Sequence, residues 1–288
     1  MSRLLGALWL AAGLVSCAYQ PQPVWTSPEP SLPPSQPQPP PNVVEAPANW
    51  RVIHEEAAGM SALASWRQLC VIGHEGEVTV SLVRFDDCHA TLRVVDQPQS
   101  WTLSDTLGDS MRQAAAIAGV NGGYFQPDFT PLGLVIADGR RMGQFTRSAL
   151  VSGMVRVIQG RPALVWNSES SCAEAASDLL QAGPRLLSGG QPITGLNASK
   201  TAARSFVATD GENGWLIGVT SSVSLHGLAE LLATPGLVSG LRLDRALNLD
   251  GGRSTAFFAR LNDGREINQP GWSTVRNYLA LVPRTQRH

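Results

Sequence analysis

Leu247-Asn248-Leu249-Asp250-Gly251-Gly252-Arg253-Ser254 is the stretch that organises the chain: a short apolar strand, Ala246 to Leu249, runs into a carboxylate and a pair of glycines. An earlier stretch repeats the design, with Ile117 to Val120 running into Asn121-Gly122-Gly123-Tyr124-Phe125. A glycine has no Cβ, so it permits a sharp turn and lets backbone N–H groups approach a ligand or form an anion-binding nest. Either stretch alone reads as a tight turn. Two of them, each closing a buried strand, single out Asn121 and Asp250 as site candidates. Gly122, Gly123, Gly251 and Gly252 would offer N–H groups, and Ser254 a hydroxyl. Neither stretch is a Walker loop or a dinucleotide fingerprint.

Working outward, alternation of polar and apolar residues predicts strands over Glu77 to Phe85 and Ala90 to Val95, joined as a hairpin by Asp86-Asp87-Cys88. Helical spacing predicts a helix over Ser104 to Ala116, and a second over Ser171 to Leu180. Further strands are expected at Leu132 to Ala137, Ala149 to Ile158, Ala163 to Trp166 and Arg185 to Leu187. Ser205 to Thr209 and Trp215 to Thr220 read as a hairpin across Asp210-Gly211-Glu212-Asn213-Gly214, followed by a helix from Ser224 to Ala233. Thr255 to Ala259 and Val275 to Val282 complete the set. Hairpins interspersed with three helices predict an α+β fold, a mixed β-sheet core with a few helices in a single domain.

The chain has 288 residues, and 11 of its 20 prolines fall between Pro21 and Pro47. The foldable part therefore starts near Trp50, and residues 50–288 are long enough for one sizeable core. Net charge is -1, without the cationic surplus that phosphate backbones require, so no nucleic-acid partner is expected. Met1 to Cys17 carries Arg3 and then 12 residues, Leu4 to Val15, ending in Leu14-Val15-Ser16-Cys17. An apolar run of that length fits the h-region of a secretory signal rather than a membrane span. Its end resembles the bacterial lipobox. The expectation is a signal peptide at 1–16 and a lipidated Cys17. The anchor places the protein in the bacterial cell envelope, at the outer membrane facing periplasm or surface. Residues 17–49 would form a Pro-rich tether in extended polyproline conformation. In an oxidising compartment Cys70, Cys88 and Cys172 leave three pairings open, with a slight preference for Cys70–Cys88 as the shortest loop. The five histidines are scattered, and no zinc spacing is present.

Asn121-Gly-Gly-Tyr-Phe125, Gly133-Leu134, Gln181-Ala-Gly-Pro-Arg185-Leu186, Ala203-Arg204-Ser205 and Leu249-Asp250-Gly-Gly252-x-Ser254 follow one another in the order of a known family. With Ile267-Asn268-x-Pro270 and Val275-Arg276-Asn277, the series resembles the phosphodiester glycosidase family over roughly residues 70 to 283. The resemblance implies hydrolysis of a sugar-1-phosphodiester, with a glycan-phosphate or other sugar-phosphodiester as substrate. Carried over, it marks Asp250, Arg204 and Asn121 as catalytic. Arg204 or Arg185 would clamp the anion bidentately. Asp250 would serve as nucleophile, acid or base, and Asn121 would orient sugar hydroxyls or phosphate. A second carboxyl is unassigned, with Asp128 and Asp210 as candidates. No cofactor is certain, although Asp250 is the kind of ligand a divalent cation takes. Arg253 stands where the family often has a third glycine. The alternative reading is a non-catalytic glycan- or phosphate-binding envelope lipoprotein on the same scaffold.

Overall fold

A computed structural model describes residues 50–60, 64–97, 106–169, 175–237 and 241–284. The signal peptide, Cys17, the Pro-rich tether, Ser104 and Cys172 lie outside the described residues. In chain order the strands are β1 (Arg51–Met60), β2 (Ala64–Gly73), β3 (Gly76–Asp86), β4 (Ala90–Asp96), β5 (Ala118–Asn121), β6 (Val135–Ala137), β7 (Arg140–Met142), β8 (Gly153–Ile158) and β9 (Arg161–Trp166). They continue with β10 (Asp178–Ala182), β11 (Arg185–Ser188), β12 (Gln191–Pro192), β13 (Ala202–Thr209), β14 (Gly214–Val223), β15 (Arg245–Asn248), β16 (Phe257–Arg260), β17 (Glu266–Gln269) and β18 (Asn277–Pro283). Two helices are described, α1 (Leu107–Gln113) after β4 and α2 (Leu225–Ala233) after β14.

The strands form three sheets. One has eight strands in the order β1-β2-β3-β14-β13-β15-β11-β12; the others have five each, β7-β6-β10-β8-β9 and β17-β16-β5-β18-β4. Each strand pairing among the described residues is antiparallel. The architecture is therefore mostly β, and the expected mixed α+β sheet gives way to an antiparallel one.

Two local expectations change for physical reasons. β3 and β4 are strands, but they are not a hairpin: β3 pairs with β2 and β14, whereas β4 pairs with β18 in another sheet. The Asp86–His89 turn carries the chain from one sheet to the next. Alternation fixes which face of a strand is buried and leaves its partner open. The helix expected over Ser171 to Leu180 is replaced at its end by β10, all five of whose residues are buried. A strand covered on both faces loses its period of two and is easily taken for a buried helix. The β13–β14 hairpin and helix α2 stand where the sequence put them. Ser224 caps α2, its hydroxyl accepting from the Gly227 N–H at 2.9 Å. Cys70 and Cys88 are free thiols, against the slight preference for their pairing; Cys70 donates to Glu77 Oε1 at 3.0 Å.

The main core lies where the three sheets face one another, with Trp66, Val83 and Phe85 from the first, Val155 and Trp166 from the second, and Val120 and Leu279 from the third. A second core packs α2 on the eight-stranded sheet through Leu228 and Leu231 against Leu69, Leu82 and Phe206. α1 covers the third sheet, Leu107 and Met111 meeting Phe258 and Ala280. These cores fix the ends of β5, β13 and β15.

Candidate active site

The two glycine turns meet. β5 and β15 belong to different sheets, yet the Asp250 N–H donates to the Gly122 carbonyl at 3.0 Å. The Asn121 side-chain N–H donates back to the Asp250 carbonyl at 2.7 Å. Asn121 Oδ1 accepts from the Ser205 hydroxyl at 2.5 Å and from the Ala256 N–H at 3.1 Å. Asn121 is 0% exposed, so it fastens three strand ends together and presents nothing to a ligand. The expected role in orienting substrate gives way to one of positioning Asp250.

Asp250 itself is half-buried. Burial raises its pKa above the ordinary carboxylate value; hydrogen bonds from Ser254 and from the Gly251 N–H, at 2.9 Å from Oδ1, act the other way. Tyr124 stands beside it. The Tyr124 hydroxyl donates to the Gly183 carbonyl at 2.9 Å and accepts from Asn248 Nδ2 at 2.9 Å. Burial first, and the Asp250 charge second, push this phenol well above its usual pKa.

Arg204 reaches the same place from the other side, and its positive charge favours ionised Tyr124. A register irregularity in β13 between Ala202 and Arg204 re-aims the strand there. Its guanidinium is held by two carbonyls: Nε donates to Val223 O at 3.0 Å and Nη2 to Lys200 O at 2.7 Å. Among the described residues no carboxylate pairs with it and Nη1 has no hydrogen-bond partner. Burial lowers its pKa, while Tyr124 and Glu75 favour its charge. Gly251 makes room for this arm: a Cβ there would lie 3.8 Å from Arg204 Cδ and 2.9 Å from the Ala203 carbonyl.

The remaining predicted residues have other duties. The N–H groups of Gly122 and Gly123 donate to the Asn277 carbonyl and to Asn277 Oδ1, both at 2.9 Å, so they form no open nest. The Gly251 N–H is taken by Asp250 Oδ1, and Gly252 supplies the left-handed turn at φ +63. Ser254 is buried, with its hydroxyl 3.3 Å from that of Ser273. The Arg185 side chain is not brought into this group; it lies over the Trp166 ring, 5.4 Å from its centroid. The Gly-Pro-Arg segment contributes the Gly183 carbonyl instead. Asp128 and Asp210 build turns, accepting from Thr130 and from Glu212 and Gly214. Glu75, which the sequence did not single out, caps α2 through Ser224 N and Oγ at 2.9 and 2.6 Å. Tyr124, Asn248 and Asn277 were also missed as individuals, although each lies inside a quoted motif. The one grouping of three metal-ligating side chains among the described residues is Asp86, Asp87 and Cys88, and it does not include Asp250.

A half-buried carboxyl, a guanidinium that forms no ion pair among the described residues and a phenol near both suit a small anionic ester. The family model for phosphodiester glycosidases matches residues 114–282, which contain all three. The chain belongs to the phosphodiester glycosidase family. Its fold is similar to that of the zebrafish N-acetylglucosamine-1-phosphodiester alpha-N-acetylglucosaminidase catalytic domain auto-inhibited by its pro-peptide. That likeness has a TM-score of 0.58 and 14% identity, covering 80% of this chain and 88% of the other. A hypothetical protein from Synechocystis is similar at TM-score 0.57 and 16% identity, covering 80% of this chain and 64% of that one. The chain thus matches just under two thirds of the Synechocystis protein's length. None of the curated proteins matches the sequence.

Proposed function

We propose that this phosphodiester glycosidase is a lipid-anchored envelope hydrolase that cleaves a sugar-1-phosphodiester, releasing the sugar and leaving a phosphomonoester. The observation that carries this is the Arg204 guanidinium, half-buried and paired with no carboxylate among the described residues, next to the Tyr124–Asp250 pair. A phosphodiester brings the single negative charge that such a guanidinium lacks. Its leaving group is a phosphate, whose last proton has a pKa of about 6, so it departs without the strong proton donor an alkoxide needs. One carboxyl is then sufficient. Asp250 attacks or stabilises the sugar carbon, or takes the proton of the incoming water; water supplies the hydroxyl on the sugar and the proton balance on the phosphate. Tyr124 fixes the Gly183 and Asn248 side of the site.

The test is release of free sugar from a panel of sugar-1-phosphodiesters by the full chain in detergent. Asp250→Asn and Arg204→Ala are each expected to cut kcat/KM by about 100-fold or more, the scale of a removed acid–base group. Ligand binding that survives Asp250→Asn, with no turnover of any panel member by the unmodified protein, would replace this reading with that of a glycan-phosphate-binding lipoprotein.

A further inference from the structure

Trp272 is 84% exposed, the most exposed of the large hydrophobic residues described. A lone exposed apolar side chain needs no explanation, but the backbone that carries this one is tied to the turn of the candidate active site. The Trp272 N–H donates to the Arg253 carbonyl at 2.7 Å, and the Ser273 N–H to the same oxygen at 3.1 Å. Gly271 lets the loop come this close, since a Cβ there would lie 3.1 Å from the Ser254 carbonyl. The platform is thereby fastened to the turn that carries Asp250. Next to it is a cavity of about 200 Å³ whose lining includes Thr106, Ser254, Pro270, Trp272, Ser273 and Tyr278. Ser254 lines this cavity and also hydrogen-bonds to Asp250, so cavity and carboxyl are two sides of one residue.

We propose that Trp272 and this cavity form a subsite for a further pyranose ring of the substrate, beyond the ring that reacts at Asp250. The inference rests on the function proposed above and narrows its substrate class to glycans of two or more sugars. A pyranose has one flat face of C–H groups and a rim of hydroxyls. An open indole ring matches the face. On the rim the Ser273 hydroxyl, bonded only to Ser254 among the described residues, is the first to meet a sugar hydroxyl, while Thr106, held by Asp109, and Ser254, held by Asp250, keep only a spare acceptor site each. At about 200 Å³ the cavity is smaller than the roughly 300–1,000 Å³ of a pocket for a drug-sized ligand, which suits one ring rather than a peptide segment.

The experiment separates this subsite from catalysis by measuring binding in the Asp250→Asn background of the full chain in detergent, by calorimetric titration. The probes are a disaccharide phosphodiester, the corresponding monosaccharide phosphodiester and a nucleoside-diphosphate sugar. The disaccharide is expected to bind more tightly than the monosaccharide. Trp272→Ala is expected to weaken the disaccharide about ten-fold, equivalent to about 1.4 kcal/mol, and Trp272→Phe to weaken it less. In the active protein Trp272→Ala should lower the disaccharide-to-monosaccharide ratio of kcat/KM by a similar factor. Equal loss for both sugar phosphodiesters, or no loss, overturns the subsite. Trp272-dependent preference for the nucleotide sugar overturns it in favour of base stacking. Trp272-dependent disaccharide binding without turnover of any phosphodiester upholds the subsite while removing the hydrolase reading.

Discussion

Asp250 is a carboxyl kept partly out of water, and its stability cost has a definite sign. Burial raises its folded-state pKa above the ordinary value. Between those two values the native state holds more protons than the unfolded state, so stability falls as pH rises through that window. Asp250→Asn removes the charge and keeps an acceptor for the Gly251 N–H. At neutral pH the variant is expected to melt at a higher temperature than the parent, with the gap closing as pH falls below the ordinary carboxylate value. A lower melting point at neutral pH would contradict a destabilised carboxylate. Asn121 has the opposite character, since its polar atoms are committed to Ser205, Ala256 and Asp250. Asn121→Ala leaves buried partners unsatisfied and is expected to cost about 2 kcal/mol or more in denaturant unfolding, with loss of turnover because Asp250 is no longer held. A variant of full stability and full activity would refute the fastening role. Both positions were visible in the sequence as polar residues before glycine pairs. What was not visible is who uses the glycine N–H groups: Asn277 takes them from more than 150 positions away, and no local pattern reports a contact of that range.

Elements were legible in proportion to how unevenly they are buried. α2 shows one apolar stripe and a serine before its first turn, and its cap is where the sequence placed it. β10 is buried throughout and gave no alternation to read. β1 drew no reading from the sequence for the opposite reason: most of Arg51–Met60 is exposed, so it carries no buried face. β3 and β4 were read correctly as strands and wrongly as a pair, because pairing is decided by which core each strand joins. The cap of α2 carries a prediction at this scale. Ser224 is fully buried, accepts from Gly227 and donates to Glu75, which accepts from the Ser224 N–H as well. Ser224→Ala removes one cap bond and leaves the Glu75 carboxylate with a single partner there. A loss of about 1–2 kcal/mol is expected, the range measured for N-cap serines, read from denaturant midpoints at constant slope. Ser224→Asp is expected to be worse than Ser224→Ala despite being a good cap elsewhere, since it sets a second carboxylate against Glu75. Equal stability of the two variants would contradict the repulsion expected between the two carboxyl groups at the cap.

For the whole molecule, the sequence separated a Pro-rich stretch from a glycine-turned domain, and the three-sheet antiparallel arrangement accounts for why its two glycine turns meet. Strands from different sheets end at one place, and the site is built from those ends rather than from one loop. In the proposed lipid-anchored form, where the domain works depends on Cys17. Among the described residues no helix is long and apolar enough to cross a membrane. Acyl chains at Cys17 would contribute about 0.8 kcal/mol per buried CH₂, and the tether of residues 17–49 would extend by about 3.1 Å per residue. The Asp250–Arg204 group draws its hydrogen-bond partners among the described residues from 121–254. Cys17→Ser, expressed in a bacterium alongside the parent, is therefore expected to leave the membrane fraction and to hydrolyse a soluble sugar phosphodiester as the parent does in detergent. The two readouts are separable: fractionation after a high-salt wash reports the anchor, and turnover reports the domain. Retention of Cys17→Ser in the washed membranes would mean that protein contacts, not acyl chains, hold the molecule there. Loss of turnover in the soluble variant would mean that the site needs the membrane to meet its substrate or to keep its shape.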